Sequence, residues 1–107
     1  MPSGSQYVMV WEFRVKAGLE AKFVEEYGPE GSWARLFRKS EGYLRTELVK
    51  DVAAERRFLT LDYWKSEEEF NRFRKQHLAE YERLDKEFEG LTEQETRLGV
   101  VVPDLEI

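Results

Sequence analysis

From Tyr7 to Val15 the chain alternates strictly. Tyr7, Met9, Trp11, Phe13 and Val15 fall on one side; Val8, Val10, Glu12 and Arg14 fall on the other. A period of two sustained this long specifies a β-strand, and the elements downstream limit the sheet it can join. Ala17-Gly18 ends the alternation, and Leu19, Phe23 and Tyr27 then recur at spacing four, as on a short amphipathic helix. Gly28-Pro29-Glu30-Gly31 punctuates that helix, and Trp33, Leu36 and Phe37 mark a further helical turn or two before Gly42. Tyr43–Lys50 and Arg57–Trp64 read as two strands of an antiparallel hairpin joined by the polar stretch Asp51–Arg56. Ser66 with Glu69 forms a capping-box pattern, and Glu67 and Glu68 place negative charge where the helix dipole favours it. Phe70, Phe73, His77, Tyr81, Leu84 and Phe88 run down one face of the next helix, with Glu68–Arg72 and Glu82–Lys86 as pairs four apart. Gly90 stops it. A last strand, Thr92–Val102, is closed by Pro103.

The order strand, helix, strand, strand, helix, strand belongs to the α+β class. Two split crossovers give a ferredoxin-like four-stranded antiparallel sheet with both helices on one face. Residues 7–102 are read as one domain, 1–6 as a disordered N-terminal tail and 103–107 as a C-terminal tail. Leu44, Leu48, Phe58, Trp64, Leu98, Val100 and Val102 are assigned to the other face of the sheet. They are too apolar for a wet surface, so a second copy is expected to cover them, giving a homodimer built as a dimeric α/β barrel.

Composition removes several classes of function. With 41% hydrophobic and 14% aromatic residues, the chain can build a core despite 36% charged residues. No apolar run is long enough to span a membrane. Met1–Ser5 lacks the apolar stretch of a secretion signal, and there is no cysteine, so a cytoplasmic location is expected. A net charge of −5 with interspersed basic residues argues against a nucleic-acid partner. One histidine and no cysteine leave no nitrogen- or sulfur-rich metal site, and the carboxylates lack calcium-loop spacing. No glycine-rich phosphate loop and no serine in a nucleophile elbow occur.

Three stretches carry a family resemblance. Trp11-Glu12-Phe13-Arg14-Val15-Lys16-Ala17-Gly18 with Phe23, Glu41-Gly42-Tyr43-Leu44, and Asp62-Tyr63-Trp64-Lys65-Ser66-Glu67-Glu68-Glu69-Phe70 resemble the antibiotic biosynthesis monooxygenase (ABM) superfamily. The likeness runs from Tyr7 to Val102. It implies homodimers of ferredoxin-like subunits, each with a pocket between sheet and helices. The superfamily includes cofactor-free monooxygenases of polyphenolic aromatics, haem-degrading enzymes and small isomerases. The haem-degrading branch uses an asparagine on the first strand and a tryptophan and a histidine on the second helix. Trp11, Phe73 and Arg83 stand at those places here, so haem degradation is not expected.

His77 is the sharpest candidate, because it interrupts an apolar helical stripe that should face the sheet. It can be read as a general base for a phenolic substrate, with Tyr81 one turn on as its partner. It can also be read as a half-buried structural histidine bonded to a backbone carbonyl or to Tyr81. Trp11, Trp33, Tyr63, Trp64 and Phe73 are candidates for lining a cavity that binds an aromatic ligand, and each is also plausible core. Asp62 and Glu12 sit mid-strand; Asp62 is expected to pair with Arg14 or Arg45, to lie at the dimer contact, or to act in catalysis. The resemblance implies oxidation of a small aromatic compound without metal or organic cofactor. The alternative is a dimeric module that binds a small hydrophobic ligand without turnover.

Overall fold

A computed structural model describes residues 6–101. The strands are β1 Tyr7–Val15, β2 Tyr43–Lys50, β3 Arg57–Trp64 and β4 Thr92–Val101. The helices are α1 Glu20–Tyr27, α2 Ser32–Phe37, α3 Glu67–Gln76 and α4 Leu78–Phe88, and a 3-10 turn, Glu89–Leu91, leads into β4. All strand pairs are antiparallel, in the order β2-β3-β1-β4. The expected ferredoxin-like α+β architecture is therefore present, the first crossover carrying α1 and the expected further helical segment α2, the second two short helices instead of one. The tails before Gln6 and from Val102 onward, including the last residue of the expected final strand, lie outside the described residues.

The alternation of β1 decides which way the sheet faces. Met9, Trp11, Phe13 and Val15 look toward the helices, opposite Asp62, Thr60 and Phe58 on β3. Phe23, Trp64 and Phe73 are buried completely or nearly so. Phe23 stacks on Tyr27 at 4.3 Å between ring centroids and meets Phe13 at 5.2 Å. This aromatic packing binds α1 to the sheet, since each such ring removes a large apolar area from water. Ser66 caps α3 as expected, accepting from Glu69 N at 3.1 Å. The reciprocal half of the box is not made, because the Glu69 carboxylate is held by Arg72 at 2.9 Å.

The assignment of residues to the two faces needs correction. Phe58 and Trp64 point inward, into the core, and Leu48 packs partly buried against it. Thr60 and Asp62 share their stripe, so the polar residues disguised an inward-facing row in β3 as an outer one. Leu44 and Leu98 are exposed as expected; nothing is described of the Val100 and Val102 side chains. The outer face carries Val10, Leu59, Leu61 and Tyr63 instead, all partly exposed.

Bulges decide the rest. In β2 the register slips at Leu44, so Tyr43 opposite Trp64 and Thr46 opposite Asp62 both face the helices despite their odd spacing. In β4 it slips at Glu93 and at Leu98, which turns Glu95 and Arg97 inward opposite Phe13 and Trp11.

The α1–α2 corner leaves no room for a side chain. A Cβ on Gly31 would lie 2.4 Å from the Glu26 carbonyl oxygen and 2.5 Å from that of Glu25. Gly31→Ala should therefore cost about 2 kcal/mol by forcing backbone apart. Urea denaturation checks this; an unchanged midpoint would show that the corner yields freely.

Candidate active site

Between sheet and helices lies a cavity of about 330 Å³, within the range that takes a small organic ligand. Its apolar walls come from Trp11 and Phe13 on β1, Tyr27 and Trp33 on the first crossover, and Phe70 and Tyr81 on the second. Thr60 and Asp62 enter from β3, Arg74 from α3, Asp85 from α4, and Glu95 and Arg97 from β4.

Asp62 is the most unusual group in this lining. It is only 8% exposed and receives a hydrogen bond from Thr46 Oγ1 at 2.7 Å. The Tyr43 hydroxyl lies 2.7 Å from the same Oγ1. A threonine hydroxyl has one proton, here given to Asp62, so Tyr43 must donate to Thr46. Burial pushes the Asp62 carboxyl up to about 6, and the Thr46 bond only partly opposes this. Neither expected arginine partner reaches it. Arg14 is exposed on the outer face, and the Arg45 guanidinium lies 3.7 Å over the Tyr63 ring. Glu12 is held on the outer face by Arg57, which also grips Asp51 at 2.9 Å.

Charge divides the cavity lengthwise. Asp62 lies opposite Met9 and Arg97 opposite Trp11, with Arg74 one turn past Phe70 on α3. Glu95 lies opposite Phe13, beside Tyr27, whose hydroxyl burial pushes up and whose ionisation Glu95 and Asp85 further oppose. Tyr81 stands between these ends. Burial raises its hydroxyl foremost, while Arg74 and Arg97 hold it back against Asp85 and Asp62. Among the described residues neither Arg74 nor Arg97 has an ion-pair partner.

Of the residues singled out by sequence, Trp11, Trp33, Asp62 and Tyr81 line the cavity. Trp64 and Phe73 do not: they are core, 5.2 Å apart between rings. Tyr63 lies on the outer face, its hydroxyl donating to Glu47 at 3.0 Å.

His77 also lies outside the lining. Its φ of −119° and ψ of 31° break the expected single helix into α3 and α4, far from helical values. An aim toward the sheet requires a continuous helix, and the kink removes that condition. The ring leans on Phe73 at 5.2 Å and its Nδ1 lies 3.1 Å from Glu80, which also binds Lys39 at 2.6 Å. That is a hydrogen bond beside the Lys39–Glu80 ion pair, away from the cavity.

Sequence reasoning missed Arg74, Asp85, Glu95, Arg97 and Tyr27. Tyr27 was visible on the helical stripe of Phe23. Glu95 and Arg97 alternate with the outward-assigned Leu98, which puts them on the helix side, but as exposed charged residues they gave no cavity signal. Among the described residues no three histidine, cysteine or acidic side chains cluster as metal ligands, and no helix is long and apolar enough to cross a membrane.

Comparison with known proteins agrees with the fold. Residues 6–84 match the model of a family described as Antibiotic biosynthesis monooxygenase. No curated protein matches the chain in sequence. Among solved structures, a mutant of SnoaB, a cofactor-independent oxygenase from Streptomyces nogalater, is similar with a TM-score of 0.71. It shares 18% identity, with 96% of this chain and 99% of that one covered. A Bordetella bronchiseptica protein assigned as an antibiotic biosynthesis monooxygenase superposes with a TM-score of 0.75, at 18% identity over 94% of this chain and 99% of that one. Likeness at that identity speaks to the fold alone.

Proposed function

Because this chain belongs to the antibiotic biosynthesis monooxygenase family, we propose that it is a cofactor-free monooxygenase that oxidises a small hydroxylated aromatic in the cavity between sheet and helices. The observation that carries this reading is Asp62, a buried carboxylate facing an aromatic slot with its proton affinity raised toward neutrality. Such a group is a competent base near pH 7. His77 is set aside as the base because it lies outside the lining.

In this mechanism the ring stacks among Trp11, Trp33 and Tyr81, and Asp62 takes the phenolic proton. Arg74 and Arg97 flank the resulting anion and stabilise its charge. The electron-rich ring reduces dioxygen and forms a carbon–oxygen bond to it, giving a hydroperoxide. Loss of water leaves one oxygen atom as the carbonyl of a quinone; the other departs with two hydrogens from the substrate. All the electrons come from the substrate, so no redox cofactor is required. Pairing of two copies through the outer sheet face, over Val10, Leu59 and Leu61, completes the proposal, with the cytoplasm as its location. A monomer by light scattering at micromolar concentration rejects the dimer.

An oxygen electrode with a panel of hydroxylated aromatics tests the chemistry. Wild-type protein should consume oxygen, Asp62→Asn should lose on the order of 10² to 10⁴ in rate, and His77→Ala should retain it. Ligand-induced fluorescence change without oxygen uptake would replace the enzyme by a binding module. Loss of turnover in His77→Ala but not in Asp62→Asn would overturn the assignment of the base.

A further inference from the structure

We propose that Thr46 and Tyr43 are positioning residues that form a hydroxyl chain behind Asp62, fixing which carboxylate oxygen faces the substrate and keeping that carboxylate ionised. The inference rests on Asp62 being the base, but the chain itself can be tested without turnover.

Two bonds of 2.7 Å define it, Tyr43 OH to Thr46 Oγ1 and Thr46 Oγ1 to Asp62 Oδ1. Their direction is forced. An ionised carboxylate only accepts, so Thr46 donates to it and is left as acceptor for Tyr43. A hydroxyl that accepts one hydrogen bond becomes a better donor in the next, so Tyr43 strengthens the Thr46 bond without touching Asp62. Oδ1 is thereby committed to the protein. Oδ2 has no hydrogen-bond partner among the described residues, and Asp62 lines the cavity, so Oδ2 is the oxygen left for a substrate proton.

The chain runs toward the sheet edge, away from the cavity. Tyr43 stands at the start of edge strand β2, in the field of Arg38 and Glu30 near the α1–α2 corner. Its construction depends on the bulge at Leu44, which brings Tyr43 and Thr46 to one face. Without that extra residue Thr46 would point outward and Asp62 would be buried with no donor. Thr46 is stiff at χ1, which suits it to hold one orientation.

Other groups also face Asp62. Arg74 on α3, Tyr81 and Asp85 on α4, and Glu95 and Arg97 on β4 line the same cavity. None of them is bonded to Asp62, so the hydroxyl chain is its specific stabiliser.

The test is the Asp62 titration followed by carboxyl-carbon NMR on folded protein, checked by circular dichroism. Thr46→Val keeps the shape and removes the donor, so the midpoint should rise by about one pH unit. Tyr43→Phe leaves the direct bond in place and should raise it by less. Thr46→Ser restores the hydroxyl and should return the midpoint to the wild-type value. An unchanged midpoint in Thr46→Val overturns the proposal. Should that variant not fold, Tyr43→Phe decides: a rise supports the chain and no rise overturns it. Where turnover is found, the acidic limb of kcat/KM should move with the same midpoints. Shifted titrations without turnover would leave the chain standing and reject only the enzymatic reading.

Discussion

Asp62→Asn should melt higher than the wild type at pH 7.5, by up to about 3 kcal/mol or roughly 10 °C, and should be inactive. The native state holds the Asp62 proton to about pH 6, whereas the free side chain releases it near 3.8. Between those values the folded protein binds more protons than the unfolded chain, so this group's contribution falls as pH rises through the window and the full cost is present above it. Asparagine removes the buried charge while its Oδ1 still accepts from Thr46. The gain should therefore be absent near pH 4, grow to about pH 6 and then level off. Differential scanning calorimetry across that range reads it directly. Equal melting temperatures at pH 7.5 would mean that Asp62 is hydrated and not a stored cost. A site residue that destabilises its own fold is the usual signature of a group kept for chemistry.

Trp64→Ala should cost about 3 to 5 kcal/mol, a large part of the 5–15 kcal/mol typical of a small domain. Trp64 is wholly buried, with Phe37, Tyr43, Phe70 and Phe73 between 5.1 and 5.4 Å from its ring centroid. Truncation opens a void that four rings cannot fill together. Trp64→Phe should cost far less, because the indole Nε1 has no hydrogen-bond partner to lose among the described residues. Urea denaturation of the two variants makes the comparison. A stable Trp64→Ala protein that had lost only ligand binding would return this residue to the cavity wall. Trp11→Ala should show the converse pattern, since Trp11 is partly exposed on the cavity side.

The contrast between Trp11 and Trp64 shows how far residue type can be read. Both are equally good candidates for an aromatic pocket, and only their depth below the cavity separates them. Tyr63 fails for a different reason: β3 pairs with β1 without a bulge, so neighbouring residues face opposite sides and Tyr63 and Trp64 do not share a wall. His77 is a candidate because a regular helix would aim it inward, and one residue with non-helical dihedrals removes that aim. Asp62 stands out as odd in its strand, but a carboxylate there does not reveal whether an arginine or a hydroxyl will meet it.

What the amino-acid sequence determined by itself was the order and type of the elements. Strict alternation in Tyr7–Val15, turn residues at the corners and the Ser66 cap are local signals, and local backbone preferences answer to them. They were enough for the fold; the slot between sheet and helices was implied only by the family resemblance. The tertiary structure alone decided what that slot contains. Leu44, Glu93 and Leu98 are bulged by pairing against neighbouring strands, and each extra residue reverses which later side chains face the helices. Thr46 is buried on the helix side for that reason, while Glu95 and Arg97 stay exposed at the cavity on the same side. A bulge is settled by hydrogen bonds and packing between strands distant in sequence, so no period counted along β2 could have placed Thr46.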